Sequence, residues 1–118
     1  MTDCILPLNP RWLDMVLSGE KTVIPRRIMP CRISSGDKLL FYSEGALRGC
    51  ADVLSVHSAA ADEIPSEAAS SSCIEPHELA EYMKGGRRPG YFVLGAVYKY
   101  AQPRRWTGRL APQNFIYI

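Results

Sequence analysis

Lys21, Arg26 and Arg27 fall within seven residues of one another in Gly19-Glu20-Lys21-Thr22-Val23-Ile24-Pro25-Arg26-Arg27, and three fixed cations so close together call for an anion. Arginine offers a planar fork that matches a phosphate or a base edge, whereas lysine is a point charge whose pKa falls readily on burial. The rest of the segment is apolar or small and reads as a strand from Glu20 to Arg27. On an extended chain side chains alternate, which places Lys21 and Arg27 on one face and Arg26 on the other. A solvated edge strand, protected from aggregation by its cations, is the competing explanation of the same residues.

The elements on either side must position these charges. Cys4 to Leu8 reads as a first strand, and Asn9-Pro10 supplies an N-cap followed by proline at the first helical position. Trp12, Leu13, Val16 and Leu17 recur at helical spacing, which assigns Trp12 to the core rather than to a stacking platform. Gly19, just beyond Ser18, can end this helix in a left-handed conformation. Pro25 cannot donate to a ladder and puts the second strand at an edge or bulge.

Downstream, Ile28 to Ser35 reads as a loop and Gly36-Asp37 as a turn. Lys38 to Ser43 is a strand whose Leu39-Leu40-Phe41-Tyr42 run indicates burial on both faces. Glu44-Gly45 turns the chain into Ala46 to Ser58, with Val53 and Val56 on the core side. Ala59 to Ser72 reads as a mobile loop with at most one helical turn. Ile74-Glu75-Pro76 opens a second helix with Leu79, Tyr82 and Met83 as its apolar stripe, and Gly85-Gly86 stops it. A basic turn, Gly85 to Gly90, leads into Tyr91 to Tyr100; Pro103 breaks that strand, and Phe115 to Ile118 forms a last one.

With 118 residues, 47% hydrophobic and 22% charged, the chain has the balance of one globular domain spanning 1–118. Short strands with two or three short helices predict an α+β fold built on a small barrel of five to six mostly antiparallel strands. No apolar run reaches membrane-helix length and no secretory signal is visible at Met1, so a cytoplasmic protein without membrane contact is expected. A monomer is expected too. Cys4, Cys31, Cys50 and Cys73 form no Cys-x-x-Cys pair and have only His57 and His77 as companions. They read as reduced, mostly packed thiols, with no metal and no organic cofactor.

Formal net charge is +2, but its distribution is uneven. Asp62 to Glu81 holds six acids and no Lys or Arg; Tyr82 to Ile118 holds seven bases, Arg109 among them, and no acid. Such polarity produces a positive face that steers polyanions, unless the two segments neutralise each other in the fold.

Gly19, Lys21 and Arg26 stand in register with the Gly-x-Lys-x-x-Glu-x-Arg motif, and the chain resembles the ASCH domains, relatives of the PUA fold. Gly36-Asp37-Lys38-Leu39-Leu40-Phe41-Tyr42 resembles that family's second conserved strand and Gly49-Cys50-Ala51-Asp52-Val53 the strand after it. Glu78 to Gly85 resembles its helix ending in Tyr-x-x-Gly, and Pro112-Gln113-Asn114-Phe115-Ile116-Tyr117 its closing strand. The motif's glutamate is Ile24 here. The resemblance implies a cleft between the strand carrying Lys21 and Arg26 and the neighbouring barrel wall, and RNA or a nucleotide as partner. In that reading Gly19, Lys21, Arg26 and Arg27 surround the ligand, Tyr42, Tyr91 or Tyr117 stack on unpaired bases, and Arg87, Arg88, Arg104 and Arg105 hold backbone phosphates.

Two other classes stand beside RNA binding. Some ASCH-like proteins are amidohydrolases of acylated cytidines that use a lysine, a threonine three residues later and a glutamate. Lys21 would then be the base, but the threonine position is Ile24. Thr22 is the nearest hydroxyl in sequence, although alternation turns it from the face of Lys21, so Ser43 or Ser55 from another strand are substitutes. Glu75 or Glu44 is the candidate acid. The third class is a protein-interaction module whose acidic helix docks a basic partner, which would need an exposed apolar patch from Glu75 to Lys84 and no cleft at Lys21.

Overall fold

The elements follow the order β1 (Asp3–Pro7), α1 (Pro10–Leu17), β2 (Val23–Arg26), β3 (Lys38–Ser43), β4 (Ala46–Ser58), a 3-10 turn (Ala61–Glu63), α2 (Ser66–Ser71), α3 (Pro76–Met83), β5 (Gly90–Arg105) and β6 (Ile116–Tyr117). The computed structural model describes residues 2–106 and 115–118; Arg109 and Pro112 to Asn114 of the closing motif lie outside the described residues. The six strands make one sheet in the order β2-β5-β4-β3-β1-β6. Every neighbouring pair is antiparallel except β1 with β3, which run parallel from Asp3↔Lys38 to Pro7↔Tyr42. That pair is joined through α1 and β2, the long crossover a parallel pair requires.

The expected α+β architecture takes the form of a half-barrel. The outer strands β2 and β6 are not laddered to each other. On the curled side Arg26 of β2 reaches across and donates from Nη1 to the Pro7 carbonyl of β1 at 3.3 Å. A side chain therefore spans the opening that a ladder would otherwise close.

Local chemistry explains the boundaries. The Asn9 side chain accepts from the Arg11 N–H at 3.0 Å, Pro10 occupies the first turn, and Gly19 takes φ +85° after the Ser18 cap. Glu44 and Gly45, with φ of 52° and 82°, make the tight connection from β3 to β4. Gly49 lets α1 approach β4: a Cβ there would stand 2.6 Å from the Tyr98 carbonyl oxygen and 2.8 Å from Leu17 Cδ2.

Two apolar clusters use opposite faces of β2 and β5. The larger gathers Leu13 and Val16 of α1 with Leu6, Ile24, Leu39, Phe41, Val53, Phe92 and Leu94. The smaller gathers Val23 and Tyr91 with Ile64, Leu79 and Met83, and half-buried Ala68, Ala69 and Ile74 pack on it. Truncating a fully buried ring such as Phe41 or Phe92 would cost about 3–5 kcal/mol.

Four expectations are corrected. Ala59 to Ser72 is not a loop: it forms the 3-10 turn and α2, because Ala68 and Ala69 find apolar partners in the smaller cluster. β3 buries Leu39, Phe41 and Ser43 on one face only. β5 runs through Pro103 to Arg105, which is tolerated because β2 pairs only with Gly90 to Val93 and leaves that edge free. The second strand starts at Val23 rather than Glu20, since Lys21 is still tied to the helix before it, donating its backbone N–H to the Met15 carbonyl.

Candidate nucleotide-binding cleft

The backbone around Lys21 is held on three sides. Its own N–H binds Met15 of α1, the Thr22 N–H donates to the Ser71 carbonyl at 3.0 Å, and the Thr22 carbonyl accepts from Leu94 of β5 at 2.9 Å. So fixed, the Lys21 side chain runs inward and is 2% exposed. Its ammonium donates to the Ser72 carbonyl at the end of α2 and lies 5.0 Å from the Trp12 ring centroid. Burial pushes its pKa down to about 8, and the nearby Cys73 side chain raises it in part. Cys73 closes α2 in a left-handed conformation, φ 62°, and its thiol donates to the Glu20 carbonyl at 3.5 Å.

Lys21 forms part of a cleft of about 250 Å3 at the opening of the half-barrel. Pro7, Leu8 and Asn9 form one wall and Ile24, Pro25 and Arg26 the other. Trp12 of α1 and Ile74, Glu78 and Tyr82 of the α3 region complete it. Among the described residues no carboxylate pairs with Lys21, and no Ser or Thr lines the cleft. The lining thus offers two cations, one carboxylate that only accepts, one amide and two aromatic rings.

The cations divide differently from the expectation. Lys21 and Arg26 share the cleft, whereas Arg27 lines a separate recess with Gly85, Gly86 and Arg87. Strand alternation does not apply to Lys21, which precedes β2. Trp12 is half-buried in the cleft wall rather than in the core. Gly19 ends α1 and lies outside the lining.

Other candidates stand elsewhere. Tyr42 is half-buried on the face of β3 turned from the larger cluster, and Thr22 is exposed; neither lines the cleft. Glu75 stands at the N-cap position of α3 and lines a groove with Ser66, Ala69, Ser70 and Cys73, while Glu78, one helical turn on, takes the place in the cleft. Tyr91 is buried in the smaller cluster under His57, and the Tyr117 hydroxyl accepts from the Arg32 N–H. Ser43 is buried, Ser55 bonds His57 at 2.8 Å, and Glu44 sits in the hairpin turn. Arg88 binds the Met29 carbonyl through Nε, and Arg104 lies over Tyr100 near the far end of β5. Of the four thiols, Cys4 and Cys50 are buried and Cys31 is exposed.

Asn9, Trp12, Glu78 and Tyr82 are the polar and aromatic cleft residues to which the sequence argument gave no place at the ligand. Their signal was present: in α3, Glu78 and Tyr82 are four apart and so share a helix face.

No family model matches the chain, and no curated protein matches it in sequence. Solved structures do. A crystal structure of ASCH from Zymomonas mobilis superposes with a TM-score of 0.86 at 17% identity, covering 98% of this chain and 87% of that one. A tyrosine-to-phenylalanine variant of that protein gives 0.86 at 16% identity, covering 98% and 89%. A serine-to-alanine variant gives 0.85 at 17%, covering 98% and 87%. At this identity the likeness speaks for the fold, and over nearly its whole length this chain has the fold of the ASCH proteins.

Proposed function

We propose that this protein is a cytoplasmic ASCH-type module that binds RNA or a nucleotide in the cleft at Lys21. The observation that carries the reading is a buried ammonium with its charge uncompensated by any described carboxylate, facing a cavity that also holds Arg26 and two aromatic rings. Burying such a charge is costly, and an anionic ligand offsets the cost. Trp12 or Tyr82 supplies a stacking surface for an unpaired base. Glu78, an acceptor only, suits an exocyclic amino group rather than a phosphate.

Fluorescence anisotropy of short single-stranded RNAs tests this at low and physiological salt, with wild type and Lys21→Met. Binding should weaken by about 1.5–3 kcal/mol in the variant, the scale of a hydrogen bond to a charged group. Equal affinity for both proteins would remove Lys21 from the site.

An amidohydrolase reading draws on the Lys21 pKa near 8 together with Glu78 in one cleft. Against it, Ile24 fills the wall, and among the described residues the Tyr82 phenol is the one side-chain hydroxyl in the lining. Binding is therefore the better-supported reading. An interaction module docked through α3 is disfavoured, since Leu79 and Met83 are buried and Tyr82 faces the cleft.

A further inference from the structure

Arg26 and Arg27 are consecutive residues on the edge of the sheet, yet they serve two concavities. Arg26 lines the cleft; Arg27 lines a recess of about 290 Å3 with Ile28, Gly85, Gly86 and Arg87. The recess is a consequence of the double glycine after α3. Gly86 packs against the chain at Arg27, where a Cβ would stand 2.7 Å from the Arg27 carbonyl oxygen and 3.1 Å from its Cα. Gly85 takes φ +73°, and the place its Cβ would occupy is 3.9 Å from Arg27 Nη2. The Arg88 N–H then donates to the Arg27 carbonyl at 3.2 Å and locks the turn to the strand end.

Both guanidinium side chains are exposed, no acid lines the recess, and neither makes an ion pair among the described residues. Two like charges brought to one concave spot repel each other, and no described side chain compensates them. A phosphate does so with the geometry arginine prefers, two parallel N–H···O bonds per fork.

We propose that Arg27 and Arg87, set on the Gly85–Gly86 turn, form a phosphodiester subsite beside the cleft, so that the ligand is a strand of RNA and not a free nucleoside. This rests on the reading of the cleft given above. The strand crosses the edge at β2, with one nucleotide in the cleft and a further phosphate in the recess; Arg26 and Arg27, consecutive in the chain, contribute one side chain to each.

Titrating 15N-labelled protein with dimethyl phosphate, and separately with inorganic phosphate, tests the subsite directly. The diester should shift the Gly85, Gly86 and Arg87 amides in wild type and equally in Lys21→Met, and should not shift them in the Arg27→Gln/Arg87→Gln double variant. No shift at saturating diester, or a response to inorganic phosphate alone, would overturn the proposal. With single-stranded RNA, the double variant should lower the slope of log K against log salt by about 0.7, the share of the one phosphate that the two arginines hold. An unchanged slope overturns it as well. If RNA binds neither wild type nor variant, the reading of the cleft fails, while the diester titration still decides the subsite.

Discussion

Replacing Lys21 by methionine converts a buried ammonium into a stability difference whose sign and size can be worked out in advance. The folded protein holds the Lys21 pKa near 8, chiefly through burial, against an ordinary value of 10.5. Between those values the unfolded chain still binds a proton that the folded chain has released. Stability therefore rises with pH through the window from about 8 to about 10.5, and the cost of burying the charge is fully present below about pH 8. The whole separation is worth about 3 kcal/mol, at roughly 1.4 kcal/mol per pH unit, and about 2 kcal/mol of it is recovered between pH 6.5 and 9.5. Methionine has a similar length and does not titrate. It leaves the Ser72 carbonyl without its partner, a cost of about 1–3 kcal/mol that is the same at every pH. Urea unfolding of both proteins at those two pH values measures the effect as a difference of differences, which cancels the titration of every other group. Wild-type stability should gain about 2 kcal/mol on that of Lys21→Met as pH rises. Parallel curves would show that the Lys21 ammonium is hydrated in solution and would refute the closed environment from which the cleft is argued.

Trp12→Leu should weaken single-stranded RNA binding by about 1–3 kcal/mol, the worth of a stacked base, while urea unfolding at pH 7 remains two-state. Asn9→Ala removes the cap that accepts from Arg11 and should lower stability by about 1 kcal/mol by the same assay. Gly49→Ala should cost about 1–3 kcal/mol, because the new methyl meets the Tyr98 carbonyl and Leu17 and one backbone must shift; an unchanged midpoint would show that α1 and β4 do not pack so closely.

Several features were determined by sequence alone, each for a local reason. Asn9-Pro10 and Gly19 bounded α1 because caps and left-handed glycines act within one turn. Pro25 placed β2 at an edge because its missing N–H cannot serve a central ladder, and β2 is the outermost strand. Glu44-Gly45 marked the hairpin. The family resemblance pointed to the α+β fold, and the superposition on ASCH structures agrees with it.

Which side chains meet was a different matter, and only the tertiary structure decided it. Alternation paired Lys21 with Arg27, but the hydrogen bond from Lys21 to Met15 delays the strand, so Lys21 joins Arg26 and Arg27 turns to Arg87. The segment around Ala68 and Ala69 looked featureless by itself because its helix depends on apolar partners far away in sequence. That same segment supplies the Ser72 carbonyl that receives the Lys21 ammonium, a contact spanning 51 residues. Propensities and spacings act over a few residues, whereas the cleft is assembled from β1, α1, β2 and α3, whose juxtaposition is set by the curl of the sheet and by burial in two separate cores.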